Sequence, residues 1–272
     1  MRIRNSTIVL TGATGGIGSQ LATEFAGAGA RMILVSRDQA QLDALINTLP
    51  VPEIVPHLAV AVDLLDAAGR QKLRDICTQH DIDLLINNAG TNDFNLLENA
   101  DPAIVARQLE LNLMVPVLLT QQLLPLLRLR PSSAVVNIGS AFGSIGYPGY
   151  TAYCASKFGL RGFSEALRRE LADTGVRVLH VAPRATRTAL NSGRVVAMNV
   201  ALGNAMDDPR QVARFVVKRV QNERWGHCVI GWPERFYAWI NAMLPAMTDG
   251  SLRKQLPVIR KFAEANSRGA NV

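Results

Sequence analysis

Tyr153-Cys154-Ala155-Ser156-Lys157 sets a phenol and an ammonium four residues apart, which puts both on one face of a helix. A free phenol titrates near pH ~10, and a fixed cation beside it favours the phenolate, so this tyrosine is a candidate for proton exchange with a substrate near neutrality. Pairs at this spacing also occur on plain solvated faces, and three further segments give this one chemical company. Thr11-Gly12-Ala13-Thr14-Gly15-Gly16-Ile17-Gly18 lies between the apolar run Thr7-Ile8-Val9-Leu10 and a helix-like stretch over residues 19–25. Gly12, Gly16 and Gly18 carry no side chain to hold backbone N–H groups away from a pyrophosphate, and a helix N-terminus behind them favours negative charge. The spacing G-x-x-x-G-x-G is not the G-x-G-x-x-G dinucleotide fingerprint, and a plain tight turn is its alternative. Residues 82–90 form a buried-type strand ending in Asn87-Asn88-Ala89-Gly90, small polar residues of the kind that let a ligand approach beyond a strand's carboxyl end. Residues 134–140 form another strand, which delivers the hydroxyl of Ser140 thirteen positions before Tyr153.

These side chains need a scaffold of alternating strands and helices. Strand-like runs at 32–35, 58–62, 84–86, 134–138, 176–181 and 228–230 alternate with longer amphipathic stretches. That rhythm predicts an α/β fold, a Rossmann-type doubly wound parallel sheet of about seven strands flanked by helices. With 272 residues and 48% hydrophobic content the chain can fill one large core, and no repeat, low-complexity tract or linker marks a boundary before residue 231.

On Thr11-Gly12-x-x-x-Gly16-x-Gly18, Asn87-Asn88-Ala89-Gly90, Asn112, Ser140 and Tyr153-x-x-x-Lys157, taken in order, the chain resembles the short-chain dehydrogenase/reductase family, over roughly residues 5–232. The resemblance implies an NAD(P)-dependent oxidoreductase acting between a carbonyl and a secondary alcohol, with Asn112, Ser140, Tyr153 and Lys157 as its catalytic tetrad. In reduction Tyr153 donates a proton to the developing alkoxide and Ser140 hydrogen-bonds the same oxygen, while Lys157 lowers the phenol's pKa and holds the nicotinamide ribose. Asn112 is expected to hold a water that links Lys157 to solvent; without the resemblance it reads as a kink or a satisfied core amide in an apolar helix. The implied cofactor contacts are Gly12, Thr14, Gly16, Ile17, Gly18, Ser36, Arg37, Asp63, Leu64, Asn88, Ala89, Gly90, Tyr153, Lys157, Pro183 and Thr188, and no metal is expected. Asp63 matches the adenine contact of relatives and equally suits the cap of the next helix.

Cofactor choice turns on Leu34-Val35-Ser36-Arg37-Asp38. An acid at the end of the second strand would bind ribose hydroxyls and repel a 2′-phosphate; here Ser36 stands in that place and Arg37 offers a guanidinium to the phosphate, with Thr14 adding a hydroxyl. NADP(H) is therefore expected, with a surface arginine beside a capping Asp38 as the plainer reading and Gly15, where some NADP users carry a second base, moderating the preference. After the strand at 176–181 relatives place Pro-Gly, whereas this chain has Pro183-Arg184. Arg184 is expected either to strain the backbone or to point charge at a cofactor phosphate or an acidic substrate. His180 beside it reads as a core or surface histidine. A variable lid at about 184–208, mostly small and apolar, argues for a lipophilic or acyl-type ketone. The alternatives are an NAD-dependent alcohol dehydrogenase and a non-catalytic dinucleotide-binding regulator.

Residues 232–272 form a C-terminal extension in which Trp232, Phe236, Tyr237 and Trp239 precede Arg253, Lys254, Arg260 and Lys261. Packing on its own domain or on a partner subunit is the expected role, and peripheral membrane contact through 232–261 is the minority one. No segment approaches the ~18 apolar residues that cross a bilayer. Three scattered cysteines and a start at Met1 that runs into the first strand without an apolar leader point to a reducing cytoplasm. The formal charge of +7 comes from dispersed basic residues, so nucleic acid is not expected, and a homodimer or homotetramer is implied by the resemblance.

Overall fold

Apolar runs without alternation dictate strands buried on both faces, which parallel sheets require. The computed structural model describes residues 1–53 and 55–264. Seven strands form one sheet: β1 (Thr7–Thr11), β2 (Arg31–Ser36), β3 (Leu58–Ala61), β4 (Ile82–Asn87), β5 (Ser133–Ile138), β6 (Val176–Ala182) and β7 (Gly226–Val229). Their order is β3-β2-β1-β4-β5-β6-β7, and every pair is parallel. The order reverses between β1 and β4, the switch point beyond which ligands of such sheets bind.

Successive residues serve opposite layers. Leu10, Leu34, Ile86 and Val136 pack with Leu21 and Phe25 of α1 (Gly16–Gly27) and with Val216 and Val220 of α8 (Pro209–Gln221). Val9, Ile33, Leu85 and Val135 pack with Leu73 of α3 (Ala67–Thr78), Leu119 and Leu123 of α5 (Val115–Arg128) and Leu167 of α6 (Thr151–Glu170). Between the layers runs a buried polar chain. Asn87 Nδ2 donates to Asn137 Oδ1 at 2.8 Å and Thr120 Oγ1 at 3.1 Å, Asn137 Nδ2 donates to Ser164 Oγ at 2.8 Å, and Ser164 Oγ donates to the Leu160 carbonyl at 2.6 Å. The chain ties β4, β5, α5 and α6 together beneath the site.

Three expectations shift. The last strand begins at Gly226 rather than 228, because Gly226, at φ 96°, turns the chain so that it pairs with Leu179 two residues sooner. The helical segment Pro102–Arg128, α4 (Pro102–Leu109) running into α5, is long and apolar enough to cross a membrane by length and composition, against the expectation of no such segment. Val115, Leu119, Leu123 and Leu127 of this segment are buried in the core, while Ile104 and Met114 are exposed. Asn112 does not sit in a regular helix either: Glu110–Met114 form a π turn between α4 and α5.

Beyond β7, α9 (Trp232–Met243) and α10 (Pro245–Glu264) fold back over α7 (Gly193–Ala201). Ile259 and Ala263 bury against Val195 and Met198, Arg194 Nη1 donates to the Ala263 carbonyl at 3.4 Å, and Asn241 Nδ2 donates to the Ser144 carbonyl at 2.9 Å. The extension thus packs on its own domain as expected, with residues 265–272 outside the described residues. The remaining helix, α2 (Gln39–Ile46), is capped by Asp38, whose carboxylate accepts from the Gln41 N–H at 3.1 Å.

Candidate active site

Strand ends deliver the site. β1 runs into the glycine turn, where Gly12 takes φ 62° and a Cβ would lie 2.7 Å from the Ala89 Cα. A Cβ on Gly16 would meet Thr188 Cγ2 at 2.6 Å, and one on Gly18 would strike the Gly12 carbonyl. Gly15 heads α1 without a side-chain cap, so the amides of the first helical turn are left for an anion. The bare turn and helix start fit a dinucleotide pyrophosphate. Asn88 holds this turn in place: its Nδ2 donates to the Thr11 and Gly12 carbonyls, both at 3.0 Å. Thr11 Oγ1 accepts from the Asn88 and Ala89 N–H groups at 3.0 and 3.1 Å, a role sequence reasoning missed.

Along the rim, Thr14 Oγ1 and Ser36 Oγ are 2.9 Å apart, and Arg37 is exposed with no ion pair or side-chain hydrogen bond among the described residues. Asp63 does not cap α3. Its carboxylate accepts from the Leu65 N–H at 3.0 Å, and Asp66 takes the cap position. Leu64 turns its side chain into the core, so only its backbone is left to meet a ligand.

At the end of β5, Ser140 Oγ accepts from the Phe142 N–H at 3.1 Å and hydrogen-bonds the Tyr153 phenol. Lys157 Nζ lies 5.7 Å from the Tyr153 ring centroid and donates to the Ile138 carbonyl at 3.1 Å. The expected acidification of the phenol is absent: burial pushes Tyr153 up to about 12, outweighing the lowering by Ser140. The ring is half-buried and lines the cavity. Burial also pulls Lys157 down to about 8. Asn112 clamps the neighbouring loop instead of facing open space. Its Oδ1 accepts from the Thr91 N–H at 2.8 Å, and its Nδ2 donates to the Thr91 carbonyl at 2.8 Å and Ser156 Oγ at 3.2 Å. Gly90 fits between Asn112 and Lys157, with a Cβ there 3.0 Å from Asn112 Oδ1 and 3.8 Å from Lys157 Nζ.

Arg184 overturns both of its expected roles. Its φ is negative, so the backbone is unstrained, and its side chain is spent on protein carboxylates. Nη2 reaches Asp207 Oδ1 at 2.6 Å, Nε the same oxygen at 2.8 Å, and Nη1 reaches Glu234 Oε2 at 3.4 Å. It ties Asp207 to Glu234 of α9. His180 is a core residue: its Nδ1 lies 2.9 Å from Nδ1 of His227, and burial, with His227 second, holds its pKa down to about 3.

A cavity of about 700 Å³ opens over these groups. Ser140, Tyr153, Ile17, Pro183 and Thr188 line its floor, Phe142, Tyr147 and Tyr150 one wall, and Val195, Met198, Ile240 and Leu252 its roof. Arg184 and Glu234, its charged lining residues, pair with each other. Among the described residues no group of three His, Cys, Asp or Glu gathers to hold a metal.

A family profile described as short chain dehydrogenase matches residues 6–198. The chain belongs to the short-chain dehydrogenase family. The dehydrogenase/reductase SDR family member 7B of Bos taurus is 34% identical over 228 residues, spanning 81% of this chain and 70% of its own. Ketoacyl reductase HetN of a Nostoc species is 33% identical over 227 residues, spanning 81% and 77%. A solved short-chain dehydrogenase from Sphingobium yanoikuyae in complex with NADPH superposes with a TM-score of 0.77 at 28% identity, over 90% of this chain and 95% of that one.

As a short-chain dehydrogenase the protein is an oxidoreductase, and two of its features escaped sequence reasoning. One is the aromatic wall: Tyr150 and Phe142 approach Tyr153 with centroids at 5.9 and 6.4 Å, which tyrosines at 147, 150 and 153 could have signalled. The other is the Arg184 ion-pair cluster, whose partners no local pattern links.

Proposed function

We propose that this short-chain dehydrogenase is an NADP(H)-dependent ketoreductase of lipophilic, uncharged carbonyl compounds. The observation that carries the reading is a cavity of about 700 Å³ lined by the Ser140 and Tyr153 hydroxyls, whose two charged lining residues, Arg184 and Glu234, are tied with Asp207 into one ion-pair cluster. Bound nicotinamide supplies or accepts the hydride. The chain's own groups manage the proton. A phenol titrating far above neutrality stays protonated, so Tyr153 is a donor to an oxygen gaining charge, the role reduction needs. Ser140 accepts from Phe142 and bonds the Tyr153 phenol, and a substrate oxygen entering beside the phenol would take the Ser140 hydrogen bond. Lys157, charged below about pH 8, supplies a positive field beside the phenol and holds the ribose. Pro116 has no N–H for the Asn112 carbonyl four residues earlier, so a water relay to Lys157 would start from that backbone oxygen.

Gly12, Thr14, Gly16, Ile17, Gly18, Asn88, Ala89, Gly90, Pro183 and Thr188 form the dinucleotide cradle in this reading, with Asp63 and the Leu64 backbone near the adenine. The unpaired Arg37 and the absence of an acid at Ser36 favour the 2′-phosphate, and the NADPH bound by the Sphingobium relative supports that choice. The name of the Nostoc relative supports ketone reduction. We read residues 1–231 as the catalytic unit with a lid at 184–208, working in a reducing cytoplasm as a homo-oligomer. The test is consumption of NADPH and NADH over carbonyls graded by chain length and charge. Turnover that rises with apolar chain length and prefers NADPH supports the reading; turnover confined to small polar or anionic carbonyls, or a preference for NADH, refutes it.

A further inference from the structure

On α9, residues 232, 236, 239 and 243 fall on one stripe of the helix, and residues 234, 237 and 241 on another. The second stripe grips the body: Glu234 pairs with Arg184, Tyr237 lines the cavity and Asn241 bonds the Ser144 carbonyl. The first stripe touches nothing comparable. Trp232 is 74% exposed, Trp239 59% and Met243 64%, and Phe236 stacks between the two indoles with centroids 6.3 Å from each. Leu244 and Met247 carry the exposed apolar surface into α10. On α9 and α10, Arg235, Arg253, Lys254, Arg260 and Lys261 are exposed, against the exposed acids Asp249 and Glu264, so the two helices present an excess of positive charge. Tyr237 and Met247 are both exposed and part of the cavity lining, so the cavity opens within this face.

We propose that this face docks on an anionic bilayer and that lipophilic substrate enters the cavity from the lipid through the Tyr237–Met247 mouth. Tryptophans flanked by cations suit the headgroup region, where indoles settle at the interface and basic side chains meet anionic lipid. A mouth set in that surface delivers apolar solutes without passage through water. The substrate half rests on the proposed ketoreductase; the docking half does not.

The full chain is mixed with vesicles of phosphatidylcholine alone or with about a third phosphatidylglycerol, at low and high salt, and followed by sedimentation and tryptophan emission. Binding to the anionic vesicles with a blue shift, weakened by salt, is expected. Trp232→Ser/Phe236→Ser/Trp239→Ser, residues outside the cavity lining, should lower vesicle partitioning about tenfold or more and cut turnover of a vesicle-borne ketone while sparing a water-soluble one. Arg253→Glu/Lys254→Glu gives an independent check and should abolish the preference for anionic lipid. No binding to anionic vesicles at low salt overturns the proposal. So does a triple variant that binds vesicles normally, or one that turns an oligomer into a monomer in a protein that never bound lipid, which assigns the face to a second copy. Vesicle binding without turnover of any carbonyl refutes the ketoreductase alone.

Discussion

At the scale of single residues, the proposed chemistry rests on two hydroxyls, Ser140 and Tyr153, and the amine of Lys157. Burial raises the Tyr153 phenol, which suits the proton-donating role proposed for it. Tyr153→Phe should therefore lower reductive turnover by about a hundredfold or more while leaving the NADPH dissociation constant within a factor of a few. Parallel cofactor titration and single-turnover assays check it; wild-type turnover in the variant would remove Tyr153 from the chemistry. Arg37→Ala should weaken NADPH binding roughly tenfold and leave NADH unchanged, because a charge-assisted bond to phosphate would be lost and the exposed side chain has no hydrogen bond or ion pair among the described residues. Equal losses for both cofactors would assign Arg37 a structural role. The identities of these residues were legible in the chain because each lies in a local motif. Their protonation was not, since desolvation is set by what packs around a group and not by its neighbours in sequence.

Elements follow the same division. The strands, the glycine turn and the helix carrying Tyr153 could be read from apolar runs and spacing, which depend on residues a few positions apart. The Arg184 cluster could not, because its carboxylates lie 23 and 50 positions away. Nor could the π turn at Asn112, although Pro116 was a clue. Arg184→Met removes the cation from between Asp207, nearly buried, and Glu234, at a cost of roughly 1–2 kcal/mol. We expect faster hydrogen exchange in α7 and α9 and a severalfold rise in KM with kcat little changed. Exchange unchanged in both helices would mean that packing alone holds the lid. At the other side of the site, Gly16→Val would drive a side chain into Thr188, so cofactor affinity should collapse while far-ultraviolet dichroism stays native.

For the whole molecule, two buried bases contribute to the pH dependence of stability. Lys157 sits at about 8 against an ordinary 10.5, and His180 at about 3 against 6.5, so in both intervals the unfolded chain binds the extra proton. The Lys157 contribution should rise with pH from about 8 to 10.5, opposed above about 9 by the Cys77 thiol and the Tyr153 phenol, both held up to about 12, and the His180 contribution should fall as pH drops from 6.5 toward 3. Urea midpoints across pH test this. Lys157→Met should flatten the alkaline rise and His180→Gln the acid fall; unchanged slopes in both variants would locate the titration elsewhere.

The amide chain from Asn87 through Asn137 to Ser164 has a bearing on how the sheet assembles. Side chains alternate along a strand, so if β5 paired one residue out of step, Asn137 would swing to the opposite layer, among Leu10 and Ile86, and Asn87 would lose its acceptor. Each stranded amide costs on the order of 1–3 kcal/mol, whereas an all-valine strand would slip almost unpunished. The polar pair thus penalises a misaligned sheet and favours the register that sets the strand ends side by side.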